Sequence, residues 1–341
     1  MFPQPRRIAM PMKTATPAPA TLAQLHHLLD AGAALSPTYR GRLSNHLPMA
    51  QQALLELGAS VERLQAWSEA YETQLEPRVS ARPASVGFER DLGRPDSEVA
   101  WHAHFAARIE AVGSAVTLRE ALPVLLDGAG AIAFHGLIRT GHAVLAGHEG
   151  ELAAGLAHWA AHHLPLPTTH DGPPLALADW LQALRQLPRP DYPAGSFIAD
   201  RMRAWGTSPD FAAVAGRLLH RPDTLRDLAL LAARTYAATG NFTVLHLLTA
   251  CHAMSVLEPW WPTHDLARGF SVAAAAGLLA SGAAPALTLD HSPSCPWPAL
   301  IAAACEHDDV HVIKLTHAAW RLDRRWPDPA WRRAVERAIP L

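Results

Sequence analysis

Charge is scarce in this sequence. Asp, Glu, Lys and Arg together make up 18% of its 341 residues and leave a formal net charge of −2. A chain balanced in this way lacks the basic surface that grips nucleic acid or an anionic membrane. Cysteine is scarcer still: Cys251, Cys295 and Cys305 are the whole complement, with no C-x-x-C pair. That excludes a disulfide framework and a cysteine-type zinc site, and it makes a reducing, cytoplasmic setting the expectation. Strand-like alternation of apolar and polar residues is nearly absent, which argues against a sheet protein. Long Leu/Ile runs are missing too. The one stretch of membrane-spanning length, Phe270 to Leu289, is Ala- and Gly-rich and contains Pro285, so it reads as a buried helix followed by a loop. Residues 1–20 have no continuous apolar core of the kind a secretory signal needs and read as a disordered tail.

Helical periodicity is what the chain has instead. Apolar residues recur at three- and four-residue spacing in "TLAQLHHLLDAGAAL", "HLPMAQQALLELGAS", "SVERLQAWSEAYETQL" and "TLRDLALLAARTYAAT", with Gly58 and Gly240 as stop signals. The 29 prolines gather between such segments, where they punctuate a bundle. No fixed-period repeat is visible, so a solenoid is not expected. The expectation is an all-α, single-domain multi-helix bundle over residues 21–341.

One glycine run invites misreading. "VLLDGAGAIA", Val124 to Ala133, satisfies G-x-G-x-x-A, with Glu149 and Glu151 about twenty residues on. A dinucleotide site needs a strand before that run and a βαβ unit around it. The preceding "TLREALPVLLD" reads as helix, so the glycines are expected to let helices approach closely.

Histidine is the compositional anomaly, with 20 in 341 residues, about two to three times the usual share. Several stand inside apolar helical patterns. His46 precedes Pro48 at a helix start. His135, Arg139 and His142 fall at i, i+4 and i+7, one stripe of a helix. His246 and His252 are six apart and can share a site from its flanks, with Thr249 as an orienting partner. His307, His311 and Lys314 repeat the i, i+4, i+7 spacing, with Glu306, Asp308 and Asp309 alongside, and helical phase points His317 aside. One histidine in an apolar helix is usually a hydrogen-bonded core residue. Several helices each offering one is the pattern by which bundles hold a metal, and neutral imidazole suits iron, copper or zinc. Lys314 is the odd member, because a buried ammonium without a partner is costly. Its amine is expected to be neutral, paired, or carbamylated by carbon dioxide into an oxygen ligand, unless its stem packs while its charge reaches water.

The segments "NHLPMAQQALLELGA", "FHGLIRTGHAV", "GNFTVLHLLTACHAM" and "DDVHVIKLTHA", in this order, resemble the questin oxidase-like family over about residues 40–320. The resemblance implies oxidative ring opening of anthraquinones and related aromatic polyketides with molecular oxygen, of Baeyer–Villiger or dioxygenase type. It implies His46, His135, His246, His252, His311 and Lys314 as motif positions, non-haem iron as the favoured cofactor, and NADPH in some members. His142 and His307 stand where the family pattern leads one to expect other residue types. Within that reading Arg139 is expected to hold a phenolate or carbonyl oxygen, and Phe134 and Phe242 to line an apolar pocket. Two rivals remain. One is a helical metal-dependent phosphohydrolase using His170-Asp171, His264-Asp265 and His307-Asp308; the other is a non-catalytic helical scaffold. Oligomeric state is open.

Overall fold

Residues 18–79, 85–169, 172–261, 267–289 and 294–339 are described by a computed structural model. Seventeen α-helices lie among them: α1 (Leu22–Gly32), α2 (Leu47–Leu57), α3 (Val61–Glu72), α4 (Phe88–Asp91), α5 (Glu98–Val112), α6 (Ser114–Leu125), α7 (His135–Ala146), α8 (Glu149–Ala161), α9 (Leu177–Arg185), α10 (Ile198–Gly206), α11 (Pro209–Ala215), α12 (Thr224–Thr239), α13 (Phe242–Leu257), α14 (Ala267–Ser281), α15 (Trp297–Glu306), α16 (Val310–Arg325) and α17 (Ala330–Ala338). The fold is all-α. Among the described residues the sheet is one two-stranded hairpin, β1 (Thr38–Tyr39) against β2 (Leu43–Ser44), antiparallel with Thr38 opposite Ser44. Of the expected tail, residues 18–20 fall within the described part and pair with the turn before α3, through Ala20 N–H to the Ala59 carbonyl at 3.0 Å. Among the described residues no helix is long and apolar enough to cross a membrane; Phe270–Leu289 is largely the buried α14 followed by a loop.

Helix α13 occupies the middle because it has no polar face to offer water; of its sixteen residues, fourteen are buried, including His246, Thr249 and His252. It packs against α7, α12, α14 and α16. Four helices close a ring, α2 on α7, α7 on α13, α13 on α16 and α16 on α2. Leu47, Leu54, Leu137, Leu248 and Leu315 fill that ring at 0% exposure. Each such leucine contributes on the order of 1.5–3 kcal/mol through burial. Close approach depends on small residues. A Cβ on Gly141 of α7 would stand 3.0 Å from the Ala253 Cα of α13, and one on Gly136 would stand 2.6 Å from the Trp159 Cα of α8.

The glycine run forms no nucleotide fold. Helix α6 precedes it, with no strand, and the run continues as tight turns into α7. Its end is strained: Ile132, Ala133 and Phe134 have φ of 42°, 53° and 71°. Left-handed backbone costs a residue with a side chain about 1–2 kcal/mol, and here three in succession deliver His135 to the first position of α7. The Phe134 ring packs against Phe270 and meets the surface of Gly277.

Candidate functional site

A cavity of about 810 Å³ opens at one end of the four-helix ring. His46, His135, His246 and His311 form its wall, one from each helix or its cap. Ring centroids are 4.7 Å apart for His46 and His135, 4.8 Å for His46 and His311, 4.9 Å for His135 and His246, and 5.4 Å for His246 and His311. Local structure explains each placement. The hairpin leads into His46, which caps α2 just before Pro48. Asn241 caps α13 by accepting from the Thr243 and Val244 N–H groups, and Asp309 caps α16 by accepting from the His311 N–H at 2.7 Å. His46, His135 and His311 therefore sit at the cap or in the first turn of their helices, and His246 stands at the start of the second turn of α13. The four helices run the same way, and the positive ends of their dipoles converge on the cavity.

Three of these rings have a fixed tautomer. His135 Nδ1 donates to the Ile132 carbonyl at 2.5 Å, His246 Nδ1 to the Phe242 carbonyl at 2.8 Å, and His311 Nδ1 to the Asp309 carboxylate at 3.1 Å. Each acceptor is an oxygen, so each Nδ1 carries the proton and each Nε2 keeps a lone pair. This is the outer support that metal-binding imidazoles use. His46 Nε2 lies 2.7 Å from His135 Nε2, and His46 Nδ1 is buried with no hydrogen-bond partner. Burial, then the positive charges of Lys314 and neighbouring rings, holds His46 well below the ordinary histidine range; the same holds for His135 and His246. The set is neutral at neutral pH, as a cation requires.

Lys314 lies one turn deeper on α16 and is 1% exposed. Burial brings its amine down from 10.5 to about 7, with Asp309 pulling weakly the other way. It does not snorkel. The chain has only one other lysine, Lys13, outside the described residues.

A second histidine group lies beneath the first. His142 (α7), His252 (α13) and His317 (α16) are all buried, with ligand nitrogens all within 4.8 Å of one another. This changes the expected site: His252 belongs to this inner group and not with His246, because six residues carry it about 9 Å along the helix. His317 faces inward after all. Among the described residues one other group comes as close, Glu98, His158 and His162; the four cavity histidines do not. Glu98 and His162 also line the cavity. The Glu98 carboxyl, which burial alone would push up, is held well below its ordinary range by His158 and His162.

Arg139 does not reach the cavity. Its guanidinium forms a buried fork with Glu151, Nε to Oε1 at 2.6 Å and a second N–H to Oε2 at 2.9 Å, because α8 packs on that side of α7. Arg201 of α10 lines the cavity instead; it donates to the Ala280 carbonyl and to Thr243 Oγ1, while its Nε is buried without a partner. Nothing in the residue spacing marked Arg201, since it lies in a helix with an ordinary polar face. Phe242 lines the cavity and packs edge-on against His246 and His311, whereas Phe134 is fully buried in the core. Thr249 donates to the Leu245 and His246 carbonyls of its own helix and orients no ring. His307 and Asp308 lie at the α15–α16 junction, where Arg63 binds the His307 carbonyl and the exposed Asp308 carboxylate. The pairs at 170–171 and 264–265 lie outside the described residues.

Two comparisons with known proteins bear on this geometry. The family model described as questin oxidase-like matches residues 43–319, which include every residue of both histidine groups. No curated protein matches the chain.

Proposed function

The chain belongs to the questin oxidase-like family, and from that premise we propose that it is an oxygenase acting with molecular oxygen on an aromatic polyketide-like or anthraquinone-like substrate. In this reading non-haem iron is held by His46, His135, His246 and His311, with Lys314 beside them. The observation that carries the reading is the shared anchoring of three Nδ1 groups on oxygen acceptors, which leaves three Nε2 lone pairs at one cavity wall. Iron(II), when bound, supplies the electrons and Lewis acidity that make dioxygen reactive.

The chain's own residues then bind and orient. A cavity of about 810 Å³ falls in the range that accommodates a drug-sized molecule, roughly 300–1,000 Å³, and a flat multi-ring substrate is of that size. Ile132, Ala133, Phe197 and Phe242 give it apolar wall. The converging helix N-termini favour an anion, so a phenolic substrate binds as its phenolate. Arg201, which lines the cavity, places its guanidinium charge beside that oxygen. The Lys314 amine, neutral in about half of the molecules near pH 7, can add carbon dioxide. A new N–C bond forms, the nitrogen loses a proton, and the resulting carbamate is an anionic oxygen donor.

Oxygen uptake with a panel of hydroxyanthraquinones, after anaerobic loading with iron(II), tests the proposal. Uptake that requires NADPH assigns a monooxygenase, which needs two external electrons; uptake without it assigns a dioxygenase, in which the substrate supplies them. A chain that binds no transition metal and gains no uptake after loading overturns the reading.

A further inference from the structure

We propose that His142, His252 and His317 form a second, fully enclosed metal site, separate from the cavity and suited to a borderline divalent ion such as zinc(II). The three rings make a near-equilateral cluster, with centroids 6.1 Å apart for His142 and His252, 5.4 Å for His142 and His317, and 5.2 Å for His252 and His317. None is more than 4% exposed, and none lines the cavity.

Two rings are braced from outside by α2. His142 Nδ1 donates to Gln52 Oε1 at 2.6 Å, and His317 Nε2 donates to Glu56 Oε2 at 2.9 Å. Those bonds fix the tautomers and leave His142 Nε2 and His317 Nδ1 as lone pairs. His317 Nδ1 and His252 Nε2 are buried nitrogens with no hydrogen-bond partner. Buried polar atoms are nearly always satisfied, so two orphans facing one group of rings call for an occupant. Burial keeps all three rings neutral, and a neutral ring is a ligand where a protonated one repels. The Glu56 carboxylate, held ionised by His317 and by Arg321 at 2.7 Å, supplies countercharge one hydrogen bond away. Three imidazoles without a thiolate favour zinc or copper among abundant ions.

The two sites can be tested apart. Chain stripped by chelator is reloaded with zinc(II), desalted, and assayed for metal per chain by mass spectrometry, with thermal melting followed in parallel. His246→Ala/His311→Ala disables the cavity wall, and His252→Leu replaces an orphaned ring by an apolar side chain that the core tolerates. The expected result is one zinc retained in His246→Ala/His311→Ala, with a raised Tm, and loss of both when His252→Leu is added. Zinc content that is unchanged by His252→Leu, or absent from the cavity-disabled variant, overturns the inference. Should the combined variant fail to fold, anomalous scattering from zinc-soaked wild-type crystals decides: a peak among the three rings supports the site, and a water there or an empty centre overturns it. Failure of the iron reading shows separately, as unchanged iron content in His246→Ala/His311→Ala.

Discussion

His46 and His135 face each other nitrogen to nitrogen, Nε2 to Nε2 at 2.7 Å, with ring planes only 10° apart. The His135 proton is committed to the Ile132 carbonyl, so the proton between the rings belongs to His46. A cation held by both rings would need the His46 Nε2 lone pair, so the His46 proton would move to Nδ1, a buried nitrogen without a hydrogen-bond partner. Nitrogen-15 spectra of histidine-labelled protein are expected to show His46 switching from the Nε2–H to the Nδ1–H tautomer on loading. A His46 ring that already carries its proton on Nδ1 before loading contradicts this assignment.

Two arginines are expected to fail differently. Arg201→Met removes a cation at the cavity together with the bonds to Ala280 and Thr243, and should raise KM about tenfold for a phenolic substrate at a stability cost of only about 1–2 kcal/mol. Arg139→Met leaves the Glu151 carboxylate buried without its fork and should cost about 3–5 kcal/mol in unfolding free energy. Denaturant melts beside steady-state kinetics separate the two. Equal loss of stability in both variants would show that Arg201 too is structural.

Lys314 makes the metal-free fold less stable below neutrality. Its amine binds a proton near pH 10.5 in the unfolded chain and near 7 in the folded one, so the unfolded state holds more protons between those values. Unfolding free energy should therefore rise with pH across that window, with a ceiling of roughly 5 kcal/mol at about 1.4 kcal/mol per pH unit. The readout is the difference between wild type and Lys314→Met, because burial also pushes the Cys251 and Cys305 thiols up, which lowers stability at alkaline pH in both. Parallel pH profiles for the two proteins would show that the amine keeps its proton in the fold.

The buried histidines act at the acid end. Burial depresses His46, His135, His142, His246, His252 and His317 in the fold, so below about pH 6.5 the unfolded chain takes up protons that the native chain refuses. Stability is complete above that pH and lost as it falls, by about 1.4 kcal/mol per pH unit for each ring. Metal-free protein should unfold over a narrow acid range, and zinc or iron should shift the midpoint downward. A shallow loss spread over several pH units would contradict the buried neutral set.

The helices were plain in the sequence because periodicity and caps are local; Gly58 and Gly240 end α2 and α12 as read, both in left-handed backbone. The histidine wall was half legible. The structure brings His135, His246 and His311 to one wall but separates His252 from them, because rise along the axis matters as much as angle around it. Residues six or seven apart lie about 9–10 Å apart along a helix, more than one metal ion can span, so the pairs 135/142, 246/252 and 311/317 are two tiers. That recurrence of spacing was the available signal. Arg201 and the Glu98 group had none, since the rest of the cavity's wall is assembled by tertiary packing alone.

The left-handed run at Ile132 to Phe134 makes the cavity sensitive to a remote part of the core. The Phe134 ring that ends this run packs on one face of α14, against Phe270 and over Gly277. Shortening Phe270 to alanine is expected to let the strained segment relax and to move the Ile132 carbonyl off the His135 proton. A hole made in apolar packing should thus be heard as a change in which nitrogen of His135 carries hydrogen, a chemical consequence delivered through backbone torsion.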